Sequence, residues 1–229
     1  MSAARTTVER MVRRQPKSGP RIDPLVLRDL AEGDASDLVP GADLDGLRFE
    51  RPEVPRSLAG ITLLECEIAD LAVDSLELRG ARLLETRLAR CSAPMISAHG
   101  SSWRDAEIVE SRIGAIEVSD AEVRRVVIEG SKLGWVNLRG SDVADVVFRN
   151  CSFAELDFGG AKVARVSFEN CVTEKLTLTQ ARSESLDLRG LEFGAIEGFE
   201  GLRGATLTRD QVALLAEVFA THFGATIEG

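Results

Sequence analysis

The sequence predicts an all-β coil built from five-residue blocks, closed at its C-terminus by one α-helix. Three observations predict it. In VVFRNCSFAELDFGGAKVARVSFENC (146–171), Phe148, Phe153, Phe158, Val163 and Phe168 recur every five residues. A strand buries every second residue and a helix every third or fourth, so neither keeps this phase. Next, Gly80, Gly100, Gly130, Gly140, Asn150, Gly160, Asn170 and Gly190 all end blocks, and Gly and Asn tolerate the positive φ of a tight turn. Finally, Thr208-Arg-Asp-Gln211 opens the segment 209–222 with the pattern of a helix capping box.

The phase extends far beyond the opening stretch. Positions 63, 68, 73, 78, 83 and 88 read Leu, Ile, Val, Leu, Leu, Leu, and every fifth position from 108 to 168 is Ile, Val, Leu or Phe. Two residues earlier stand Val126, Ser131, Val136, Ser141, Val146 and Cys151, all small or apolar. Residues 1 and 3 of each block therefore point inward, as in a very short strand, and the rest turn the chain. Five is odd, so a straight strand would flip faces at each repeat; the phase survives only if the chain bends between blocks. Gly and Asn fall at multiples of ten, which suggests a second period of ten in the corners. The blocks AEVRR (121–125), SDVAD (141–145), CSFAE (151–155), LDFGG (156–160), AKVAR (161–165) and LDLRG (186–190) resemble the pentapeptide-repeat family, whose pattern is A-(D/N)-L-x-x. The resemblance implies a right-handed quadrilateral β-helix with four blocks per coil.

Taken in order, residues 1–24 read as a basic disordered tail. Residues 25–60 read as an N-terminal cap and irregular first coil: Leu44, Phe49 and Val54 keep the five-residue spacing but one residue out of phase, with the slip near Pro55 to Ala59. Residues 61–200 form the regular β-helix. Residues 201–229 form a C-terminal helix, cap and dimerisation segment, with Gly224 ending the helix. Within the rod, Ala93 and Ala98 are too small for inward positions, and Trp103 follows to fill the space. Thr173 and Ser183 place hydroxyls inward near the far end, where they need backbone or water partners.

Composition narrows the function. No apolar run approaches the roughly 20 residues of a membrane span, and the N-terminus lacks the apolar stretch of a secretory signal. Four Cys without export fit a reducing cytoplasm. Only four of the 28 basic residues are Lys, which hints at a GC-rich bacterial genome. Residues 1–22 carry Arg5, Arg10, Arg13, Arg14, Lys17 and Arg21 against Glu9, a net +5, leaving −14 on the body. Such a body is a poor nucleic-acid binder, whereas the tail could dock on an acidic partner. No nucleophile motif or nucleotide-binding glycine fingerprint is present. Cys66, Cys91, Cys151 and Cys171 occupy inward first-of-block positions, where small buried thiols are expected rather than a metal site. No catalytic residue, cofactor or metal is expected.

Function must then lie on the outside. The face built from blocks 76–80, 96–100 and so on is the most acidic, with Glu77, Glu117, Asp120, Asp157 and Glu197 as its candidate interaction residues. Val127 and Val147, with Trp135 on a corner, form a candidate apolar patch. In the terminal helix, Val212, Leu215 and Phe219 line one face and Leu214 and Val218 another; one plugs the coil, and Leu214, Val218 and the adjoining Phe219 are the candidate dimer interface. Two function classes follow. The broader is a non-catalytic rod that binds an unidentified protein partner or serves as a scaffold. The alternative comes from the resemblance, because the C-terminal segment is similar to the quinolone-resistance members: a homodimeric DNA mimic that binds DNA gyrase.

Overall fold

The computed structural model describes residues 19–222 and 224; most of the basic tail lies outside them. The chain is a parallel β-solenoid of about eight turns. Every strand pair is parallel, and in the regular part residue i stands beside residue i+20, as in Trp103 beside Val123 and Val143 beside Val163. Two sheets result. One stacks strands such as Ser102–Val109, Glu122–Glu129 and Asp142–Arg149, and the other stacks Arg112–Glu117, Lys132–Asn137 and Ser152–Asp157. Each of these longer strands wraps a corner, so a coil has four sides.

The corners obey a period of twenty, not ten. In a typical coil the block ends Gly100, Asp105 and Glu110 have φ of 64°, 52° and 50°, whereas the fourth, Ala115, is not left-handed. The same three-to-one pattern runs up the rod as far as Ser185, and Gly190, expected to be a left-handed corner, departs from it; Asp, Glu and Arg occupy left-handed corners as well as Gly and Asn. Such residues pay a steric cost of roughly 1–2 kcal/mol each, and several are held by the next coil. Arg90 grips Asp70 at 2.7 and 2.9 Å, and Arg165 grips Asp145 with both contacts at 2.6 Å, each through two parallel hydrogen bonds.

Inside, the first and third residues of the blocks form one continuous core. Leu78, Val123, Phe148 and Phe168 are buried as expected. Phe148 and Phe168 stack with centroids 5.0 Å apart, and Phe153 meets Phe148 edge-on at 5.5 Å. Trp103 is buried, and its indole N–H donates to Ser101 Oγ at 2.7 Å. The small residue after many corners has a hydrogen-bonding reason as well as a steric one. Ser111 Oγ donates to the Val109 carbonyl while accepting the Cys91 N–H at 3.0 Å. Cys151 and Cys171 direct their thiols to carbonyls in the same way. Thr173 satisfies its hydroxyl on the Lys175 carbonyl at 2.8 Å, whereas Ser183 Oγ is buried without a partner among the described residues.

The first coil is one residue short. Arg48 stands beside Glu67 and Glu50 beside Ala69, an offset of nineteen, while Ser57 stands beside Glu77. The missing residue therefore falls between 51 and 56, slightly earlier than Pro55 to Ala59. Leu38 and Phe49 close this end of the core. The ring of Phe49 lies where a side chain on Gly33 would project, 2.3 Å from its ideal Cβ, so only glycine fits there.

At the other end, the helix Arg209–His222 carries the expected capping box: the Thr208 N–H donates to Gln211 Oε1 at 2.8 Å and the Gln211 N–H to Thr208 Oγ1 at 3.1 Å. The Gln211 side chain also donates to the carbonyls of Leu188 and Leu191 at 2.7 and 2.9 Å. One residue thus starts the helix and satisfies backbone groups of the last coils. Leu215 is buried beneath the helix, and Phe219 packs edge-on against Phe199 with centroids 5.3 Å apart.

Replacing Trp103 by Ala should destabilise the protein by about 3–5 kcal/mol, the range for a truncated core ring, while Trp103→Phe should retain most of that stability. Urea unfolding of the two variants checks this; equal, small losses would mean that the indole does not fill the coil.

Candidate protein-interaction faces

The outer residues form columns, one residue per coil and roughly 4.8 Å apart. What each column can do depends on whether its groups bind one another or remain open.

The acidic face is less open than its composition suggests. Asp157 is buried: its Oδ1 accepts the Gly159 N–H at 2.7 Å and its Oδ2 pairs with Arg139 at 3.0 Å. Asn137 and Asp187 accept the amides of Arg139 and Arg189 in the same way, at 3.0 and 3.1 Å. Asp or Asn at the second position of a block therefore caps the amide two residues on, an Asx-type turn. Asp157 is a turn residue before it is a surface charge, so the expectation that it lies exposed fails. Glu77 pairs with Arg79 at 3.2 Å and Glu197 with Lys175 at 3.1 Å. Glu117 receives only the hydroxyls of Ser97 and Ser119, and Asp120 lies 3.7 Å from the His99 ring. Of the five candidates, Glu117 and Asp120 lack an Arg or Lys partner among the described residues.

The apolar patch is not a patch. Val127 and Val147 point outward from their blocks, yet both are buried, as is Ala144. The cover is the N-terminal segment. The Leu25 carbonyl accepts from the Arg87 guanidinium at 3.2 Å, and the Arg21 N–H donates to Asp145 Oδ1 at 2.9 Å. Because 87, 107 and 127 share one column, the segment between these anchors passes along the rod over Val127. Ile22, Leu25 and Leu27 are half-buried. Arg21, expected within the tail, is thus held on the rod; residues 1–18 of that expected tail lie outside the described residues. Trp135 lies on a different side and is exposed, as is Met95 two coils before it in the same column.

Asp145 anchors two structures at once, because the same carboxylate holds Arg165 and the Arg21 amide. The Arg165 guanidinium, aided by the Arg21 N–H, holds its carboxyl below the usual carboxylate range.

The terminal helix leaves Leu214 and Val218 exposed, as a pairing surface requires. Phe219 does not belong with them, since it faces Phe199 of its own chain. Val212, expected in the plug, is half exposed.

The four cysteines are buried and free. Burial pushes the Cys91 thiol up to about 11 and raises Cys66; the neighbouring Cys171 thiol, and after it burial, hold Cys151 protonated. Such thiols are poor nucleophiles. Among the described residues, no three His, Cys, Asp or Glu side chains come together as a metal site would require, and no helix is long and apolar enough to cross a membrane.

Residues 131–170 match the family model for pentapeptide repeats, in eight copies. The same twenty-residue coil continues on both sides of that match. No curated protein is significantly similar in sequence. Among solved structures, a trypsin-treated variant of QnrB1, a plasmid-mediated fluoroquinolone resistance protein, is 18% identical over 82% of this chain and 91% of its own, with a TM-score of 0.31. Full-length QnrB1 is 17% identical over 82% and 94%, with a TM-score of 0.28. HetL, involved in heterocyst differentiation regulation in the cyanobacterium Nostoc, is 21% identical over 73% and 84%, with a TM-score of 0.26. Likeness at this level carries no argument about activity.

Asp145→Gly removes the carboxylate while easing the left-handed corner. Docking of the segment around Arg21 should weaken by about 1.5–3 kcal/mol, the value of a hydrogen bond to a charged group. Tryptic cleavage after Arg21, followed by mass spectrometry, should accelerate at neutral pH, and an unchanged rate would separate the segment from Asp145. Because the folded pKa is depressed, this contribution is present at neutral pH and is lost as pH falls below about 4. Acid should therefore loosen the segment in the parent protein.

Proposed function

We propose that this chain is a non-catalytic rod that binds a protein partner through its outer faces. The supporting observation is the division of labour between the two sides of the backbone. Inward positions are consumed by packing, while outward positions carry different chemistry on each face at a constant coil spacing. A surface of this kind presents a long, rigid array, and rigidity lowers the ordering cost of association. The buried free thiols suit a reducing compartment, and we place the protein in the cytoplasm.

Incorporating a photo-crosslinking amino acid in vivo at Glu122, Glu107, Ser152 or Glu117, one position per face, tests the reading. Adducts of one defined mass should form from one face. Adducts from no face, or the same set from all four, would contradict it.

DNA mimicry of the gyrase-binding kind gains less support. A mimic needs unneutralised charge repeated along a face, and three of the five candidate carboxylates are tied to Arg or Lys. Purified protein should leave gyrase supercoiling unchanged, with or without a quinolone; inhibition or protection at stoichiometric concentration would reinstate the mimic.

We further propose that the terminal helix pairs two copies end to end. Leu214 and Val218 are apolar and exposed, and burying each contributes about 1.5–3 kcal/mol before association costs. Sedimentation should show a dimer for the parent and a monomer for Leu214→Asp/Val218→Asp. A parent that is monomeric at micromolar concentration would remove this part of the proposal.

A further inference from the structure

One side of the rod differs from the others. On the face 91–95, 111–115, 131–135 and 151–155, the fourth residue of successive blocks is Pro94, Gly114, Gly134 and Ala154. These small residues floor a groove of about 610 Å³ that runs along the rod. The glycines are needed where they stand: a Cβ on Gly134 would lie 2.1 Å from the Gly114 carbonyl oxygen, and one on Gly114 would lie 2.6 Å from that of Pro94. Neither has a positive φ, so they are not the left-handed glycines of the other corners.

One wall of the groove is basic. Arg112 and Lys132 are cross-strand neighbours in register and line the groove together. Both side chains are exposed, and neither forms an ion pair with any described residue. Like charges directly opposite each other on a sheet are destabilising, and the body around them carries a large negative excess. Several other columns set Arg against Asp or Glu in the next coil; a second unpaired cation pair in register, Lys162 beside Arg182, lies on another face and does not line this groove. Val172 lines the groove further along, and Trp135, adjoining Gly134, is exposed at the corner.

We infer that this groove binds an extended acidic segment of a partner protein, with carboxylates on Arg112 and Lys132 and an apolar side chain beside Trp135. The floor from Pro94 to Ala154 covers three coil steps, about 14 Å, the length of roughly four extended residues. The glycine floor lets a main chain approach closely. Glu174 ends the groove at one end and repels a second acidic stretch there, which fixes the extent of the site. The assignment rests on the proposal that the rod binds a protein, and it names the face and the chemistry of the bound segment.

Panning a random dodecapeptide phage library on the full-length protein tests it. Enriched peptides should combine at least two Asp or Glu with an aliphatic or aromatic residue. Their affinity should fall at least tenfold on Arg112→Glu/Lys132→Glu and on Ala154→Arg, which fills the floor at an exposed position, while circular dichroism remains that of the parent. Affinity should also weaken with salt. No enrichment, or affinities unchanged in both variants, overturns the inference, as does preferential binding of fluorescent oligo(dT) in the same groove. The crosslinking map separates the two proposals. Adducts from another face but not from Ser152, which lines the groove without holding the acidic segment, overturn the groove alone, whereas adducts from no face overturn the interaction rod as well.

Discussion

The structure depends on one constraint: a block of five must end in a corner that restores the inward direction of its first and third residues. Three corners in each coil from 61 to 180 do this with a left-handed residue, and the fourth does it without. That asymmetry fixes twenty residues as the true repeat and stacks identical positions of the coils in register. Core rings, corner ion pairs and outer columns are all consequences. It also explains why the Gly and Asn spacing misleads. Glycine is the easiest way to make a left-handed corner, but Asp105, Arg125, Asp145 and Arg165 make the same corner and are stabilised by pairing along the axis.

Much of the fold was legible because the apolar phase is a direct imprint of burial. Phe148 and Phe168 announce the coil, Thr208 and Gln211 the helix, and the alanines at 93 and 98 the large ring that follows. Other features were not legible, for identifiable reasons. Asp157 reads equally well as a surface acid and as a turn cap, because both put a carboxylate at the second position of a block; only the Gly159 amide decides. The apolar outward residues Val127 and Val147 imply a cover, but Ile22, Leu25 and Leu27 are too irregularly spaced to show that the N-terminal segment supplies it. Gly114 and Gly134 were visible as glycines, yet a reading that takes every glycine as a turn residue misses that these two keep the floor of a groove low.

The surface charge separates into two populations. Most carboxylates are engaged with a neighbour one coil away or two residues along, and these hold corners and the docked segment. Exposed pairs of this kind each contribute roughly 0–1 kcal/mol, so their effect is on register and shape more than on stability. The other population has no oppositely charged Arg, Lys, Asp or Glu partner and includes Glu117 and Asp120 on the acidic face, and Arg112 and Lys132 on the groove. Net charge alone points to the first pair. Pairing geometry points to the second, because two cations in register are harder to explain as a solvated surface than two acids on an acidic protein.

All of these assignments rest on the twenty-residue register, so the most direct test measures it in solution. Spin labels at Arg82 and Arg182 sit in one exposed column five coil steps apart. Double electron–electron resonance should give one narrow distribution centred near 24 Å, five spacings of about 4.8 Å, plus the offset of the label arms. A broad distribution, or a centre that does not shorten by about one spacing when the first label moves from Arg82 to Ser102, would contradict the register and with it every outer column described above.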